Sequence, residues 1–216
     1  MNKEWSALNK TMQSQLKKKD TFEEGVGTLL TLRDELMNEV LSWREQYKRE
    51  DFDAMPFINA DGYHCKNLAY SIWHVFRIED IVAHDLIAGD DEVLLAGDYQ
   101  SRIKSPIITT GNELHKEQIA EFTQKLDLDE LYAYAQEVKE STEIILKDLL
   151  YEELKNKVTD ESRAKLESLG VVSTDEDAVW LIDYWCGKDV RGLIQMPFSR
   201  HWIMHIEACL RIMKKL

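Results

Sequence analysis

The stretch Ser199-Arg200-His201-Trp202-Ile203-Met204-His205-Ile206-Glu207 defines an amphipathic helix with two histidines on its inner edge. On a helical wheel over residues 197–215, Arg200, Glu207, Arg211 and Lys214 form a polar arc opposite Phe198, Trp202, Ile206, Cys209 and Met213. His201 and His205 fall on or beside the apolar arc, four residues apart, which stacks their imidazoles one turn apart and turns them inward. An imidazole so placed must be hydrogen-bonded or must ligate something, because an unpaired buried ring nitrogen is costly.

Working outward, three further long segments carry helical spacing. Thr21-Phe22-Glu23-Glu24 reads as a capping box, and Val26, Leu29, Leu30, Leu36, Met37, Val40 and Tyr47 continue the helix to about Glu50. A second helix is expected over 63–88, between the turn Asn59-Ala60-Asp61-Gly62 and the stop Gly89-Asp90-Asp91. Its polar arc holds Arg77, Asp80 and His84 and reads as solvent-facing, with Leu68, Ile72, Val75, Val82 and Leu86 opposite. His74 lies at the border of the two arcs. Glu79 falls inside the apolar arc, where a carboxylate needs a partner: an arginine, a ligand histidine that it orients, or a substrate proton that it takes as a base. A third helix is expected over 128–157, with Leu131, Ala135, Val138, Thr142, Ile145, Leu149 and Leu154 at core spacing. Pro197 marks the start of the last.

Shorter elements fill the rest. Trp5, Leu8, Met12 and Leu16 predict a short amphipathic helix in the N-terminal extension 1–20. The long connection 89–126 should carry a short helix at Thr110-Gly111-Asn112-Glu113 and border a pocket. Ser173-Thr174-Asp175-Glu176 opens another short helix to Gly187. With no strand pattern and no internal repeat, the 216 residues read as one all-α domain: a four-helix bundle with additional short helices in its connections.

Composition narrows the function. A net charge of −13, with Lys17-Lys18-Lys19 the only basic run, disfavours nucleic-acid and anionic-membrane partners. Neither an apolar leader nor a run of roughly 20 apolar residues is found, which gives a cytoplasmic expectation. Cys65, Cys186 and Cys209 are odd in number and widely spaced, as reduced thiols would be. There is no HExxH, ExxH, GxGxxG, P-loop or GxSxG, so zincin, carboxylate-bridged di-iron, nucleotide-binding and serine-hydrolase readings lose their ligands or nucleophiles.

His201 and His205 with His74, inward on another helix, make a candidate metal set. Three neutral imidazoles leave coordination positions open, suiting a catalytic zinc and equally nickel or iron. Cys209, one turn after His205, reads as a packed core residue, and Cys65 as a turn residue. Trp73, Trp180, Trp185, Trp202 and Tyr184 gather around the histidine segments, where core packing and a pocket above a metal both find use for them. Arg77 has the charge to anchor an acidic substrate.

Ile72-Trp73-His74 with the acidic pair that follows, Pro106-Ile107-Ile108-Thr109-Thr110-Gly111-Asn112, and His201-(x3)-His205 leading into Ala208-Cys209-Leu210-Arg211 resemble the DinB family of metal-dependent bundles. The resemblance spans roughly Phe22 to the C-terminus and leaves 159–196 unmatched. It implies up-down-down-up topology and a divalent metal held by His74, His201 and His205. It also implies activities such as bacillithiol- or mycothiol-dependent S-transfer or maleylpyruvate isomerisation. The expected function is therefore small-molecule chemistry through a metal-bound low-molecular-weight thiolate or water. A metal-dependent hydrolase with Glu79 as base, and a non-catalytic bundle serving homodimerisation or a partner surface, are the alternatives.

Overall fold

The computed structural model describes residues 2–216, and these form helices with no β-strand. The principal elements are α1 (Lys3–Gln15), α2 (Phe22–Gln46), α3 (Leu68–Ile81, running on as a π-helical segment Val82–Ala88), α4 (Leu128–Asp148), α5 (Asp160–Leu169), α6 (Glu176–Cys186) and α7 (His201–Met213). Helices α2, α4, α3 and α7 pack in a closed ring, each against the next. The N-terminal helix folds back along α2, which Gly25 permits: a Cβ there would lie 2.9 Å from the Leu16 side chain.

Two apolar clusters fill the interior. One holds Trp43, Trp73, Tyr134 and Trp202, the other Leu29, Ile81, Trp185 and Phe198. The boundary between them falls on α2 between Leu29 and Leu32, on α3 between Phe76 and Ile78, and on the α7 segment between Phe198 and Trp202. Arg33, Glu79 and His201 lie within two residues of that boundary, so polar groups gather where the apolar clusters meet.

Local chemistry corrects several expected boundaries. The helix expected over 63–88 is split: a 3-10 turn, Tyr63–Cys65, precedes a fresh start at Asn67, whose side chain accepts from Tyr70 N at 2.8 Å. Its stop is as read, with Gly89 left-handed at φ 76°. The third helix ends at Asp148 rather than 157, because the Leu150 N–H turns to the Glu153 carboxylate and begins a 3-10 turn, Tyr151–Lys155. Thr21 does not cap α2; its hydroxyl donates to Gln15 O. The segment at Thr110 forms no helix, since its carbonyls are taken by side chains of α3, and the nearest helix is Glu117–Thr123. Among the described residues no helix is long and apolar enough to cross a membrane.

The polar arc of α3 is not solvent-facing. Arg77, Asp80 and His84 are all buried. The connection after Gly89 and helix α4 cover that face: Asp80 accepts from Val93 N, Leu94 N and the Tyr134 hydroxyl at 2.8–2.9 Å, and His84 bonds Asp90 and Ser141. A helical wheel marks polarity, and a buried polar network reads the same as a wet surface.

Candidate metal centre

The four side chains Tyr70, Trp73, His74 and Arg77 follow the i, i+3, i+4, i+7 spacing of one helical face. Each donates to one of four successive carbonyls of the connection: Tyr70 Oη to Gly111 O (2.9 Å), Trp73 Nε1 to Thr109 O (3.1 Å), His74 Nδ1 to Thr110 O (2.8 Å) and Arg77 Nε to Ile108 O (2.7 Å). This stitches the stretch 108–111 along α3. It also fixes the His74 tautomer, because a carbonyl only accepts: Nδ1 carries the proton and Nε2 keeps its lone pair. Tyr70 stacks on the His74 ring at 5.4 Å between centroids.

Helix α7 supplies the other two imidazoles. A π-helical turn, Met196–Arg200, with Pro197 near its start, leads directly into His201. The three ring centroids lie 4.6–5.0 Å apart, and His74 Nε2 stands 3.2 Å from His201 Nε2. One nitrogen from each ring falls within 4.8 Å of the others, and all three residues are buried. Two nitrogens bound to one zinc at 2.0–2.1 Å in tetrahedral geometry stand roughly 3.3 Å apart, close to the observed approach.

The donor set fits a metal on a second ground. His201 Nδ1 and both ring nitrogens of His205 are buried without a protein hydrogen-bond partner. Burial pushes the His74 imidazole down to about 4, against the Thr110 bond that favours its charged form. His201 and His205 are pushed well below the ordinary range, first by burial and then by the neighbouring imidazoles. Neutral rings with free lone pairs are what a divalent ion requires. Cys209 stays outside this set: it is fully buried in the apolar core, and burial pushes its thiol up to about 12.

Glu79 has a different role in the architecture. Its carboxylate receives Arg33 through two bonds, 2.7 and 2.8 Å, and Trp202 Nε1 at 2.8 Å. Arg33 also reaches Glu143 and Phe198 O at 3.3 Å and stacks over the Trp202 ring. One guanidinium thus ties α2, α3, α4 and the turn before α7 together. Arg77 is equally committed: beside Ile108 O it faces Asp80 at 3.3 Å and Glu92 at 2.5 Å, which removes it as an anchor for a substrate acid.

His74 and His201 open into a cavity of about 290 Å³, and His205 lies behind them outside its lining. Trp180, Leu181, Tyr184 and Trp185 of α6 form one wall, and Tyr63, Ile78, Asn112, Met196 and Pro197 complete it. Helix α6 belongs to the stretch 159–196, which therefore covers the site. The connection borders it through Asn112, which follows the Thr109-Thr110-Gly111 turn. Tyr63 and Arg33 gave no sequence signal that separated them from ordinary turn and helix residues, whereas Asn112 lies in the stretch that carries the family resemblance. No known family model matches the sequence, and no curated protein sequence matches it.

Proposed function

We propose that this chain is a divalent-metal-binding enzyme of DinB-like architecture, an up-down-down-up four-helix bundle acting on a small molecule. The observation that carries the reading is the convergence of His74, His201 and His205, with unpartnered ring nitrogens on His201 and His205, beside an aromatic cavity that His74 and His201 line. Zinc or nickel suits the nitrogen donors best, and iron is compatible. A divalent ion held there supplies Lewis acidity that lowers the pKa of a coordinated thiol or water.

The chain's own residues do the rest. The Thr110 carbonyl holds the His74 ring in the ligating tautomer, and the Arg33–Glu79–Trp202 contacts hold α7 so that His201 and His205 face it. The walls from α6 limit water. Both oxygens of Glu79 are occupied by structural partners and the residue does not line the cavity, which favours thiol transfer over hydrolysis with Glu79 as base. The test is cobalt(II) titration of tag-free protein followed by its visible spectrum, beside a thiol-transfer assay against a panel of electrophiles. Expected is one ion per chain with nitrogen ligands, lost in His201→Ala/His205→Ala. Absence of binding in wild type would overturn the reading.

A further inference from the structure

The cavity above the histidines has a chemical bias of its own. Apart from the histidines, no lining side chain is an Asp, Glu, Lys or Arg. Its polar handles are the Asn112 amide and the hydroxyls of Tyr63 and Tyr184. Asn112 Oδ1 accepts from Thr110 Oγ1 at 2.8 Å, which leaves the amide NH₂ as a donor. Two lysines stand close by without lining it: Lys66 donates to Leu114 O and sits over Tyr70, and Lys188 sits over the Tyr184 ring.

From this wall we infer that the cavity takes a flat, uncharged ring bearing a hydrogen-bond acceptor. An apolar cavity of roughly 150 Å³ accepts a benzene, so about 290 Å³ holds a substituted or fused ring. Trp180 and Tyr184 meet edge to face at 5.6 Å and offer aromatic surface, and the neutral donors meet a carbonyl or ether oxygen. In the metal-free cavity a carboxylate would lose its hydration with no cation on the wall to replace it. That this ring belongs to the substrate rests on the proposed function above; the affinity for it does not.

The test uses the full chain treated with chelator, its tryptophan indoles labelled with ¹⁵N, and three probes of one size: benzamide, benzoate and cyclohexanecarboxamide. Benzamide should shift the Trp180 and Trp185 indole signals and bind about tenfold tighter than benzoate. The saturated amide should bind roughly 2- to 10-fold more weakly than benzamide. Trp180→Ala and Tyr184→Ala, at positions 49% and 36% exposed, should keep the wild-type circular dichroism and lose benzamide affinity. Equal or tighter benzoate binding, equal binding of the saturated amide, or unchanged affinity in both variants overturns the inference. Repeating the titration with zinc separates the two claims: ring binding without metal binding sinks the enzyme reading alone, and the reverse sinks this one alone.

Discussion

Helix α3 carries two buried polar groups five residues apart that obey opposite rules. Around Glu79 every strong donor and acceptor is spent: Arg33, Trp202 and Glu143 close the cluster on itself. Around His74 three imidazoles meet with ring nitrogens left over. Saturated networks cost little to keep and rigidify a core, whereas unsatisfied ones are expensive and persist where something else completes them. The first cluster builds the frame, and the second leaves ring nitrogens that the proposed metal would complete.

The largest effect should come from breaking the saturated side. Arg33→Met leaves Glu79 buried without its cation and should cost about 3–5 kcal/mol of unfolding free energy. The double change His201→Ala/His205→Ala should cost the metal-free protein less than half as much, because it removes unsatisfied atoms along with packing. Urea unfolding of both variants measures this. A histidine variant as unstable as the arginine variant would erase the distinction.

The pH profile sharpens the comparison, since two buried groups give slopes of opposite sign. His74 has a folded value of about 4, below the ordinary 6.5, so the unfolded chain binds more protons between those values. Its contribution is complete above pH 6.5 and is lost as pH falls through 4, a change on the order of 3 kcal/mol. Glu92 is pushed up to about 8 by burial, against the pull of Arg77, so its contribution is complete below pH 4.5 and is lost as pH rises through 8. Above pH 6.5 the slope should belong to Glu92 and vanish in Glu92→Gln. Below pH 4.5 a part should vanish in His74→Ala.

Much of this contrast was readable before the fold. The four-residue spacing of His201 and His205, their inward edge and the out-of-place Glu79 all follow from helical periodicity, which reports local geometry. What pairs with what does not. Arg33 looks like any helix arginine, and Arg77 and His84 look solvated, because only the packing of the 89–126 connection and α4 onto α3 decides whether a polar arc is wet. The zipper from Tyr70 to Arg77 escaped for the same reason: its acceptors are backbone carbonyls, which every residue carries.

Metal should act on one side of the comparison alone. Zinc at one hundred times its dissociation constant should raise unfolding free energy by about 2.7 kcal/mol in wild type and in nothing that lacks the histidine pair. The reading is thermal unfolding with and without chelator. Stabilisation that survives loss of both α7 histidines would move the ion away from this site.

The smallest expected effect tests whether the zipper tunes the open cluster. Gly111 has a left-handed φ of 78°, and a Cβ added there would lie 3.1 Å from the Tyr70 ring. Gly111→Ala therefore strains the backbone and presses on the residue stacked against His74, at about 1–2 kcal/mol. If the connection serves only to cover α3, zinc affinity should be unchanged when stability falls. If the Thr110 carbonyl sets the His74 ring, affinity should fall about tenfold as well, within the range found when the outer partner of a ligand is disturbed. Titration of the folded variant against a competing chelator reads affinity apart from stability. An unchanged value would return the zipper to the frame and leave the three imidazoles to arrange themselves.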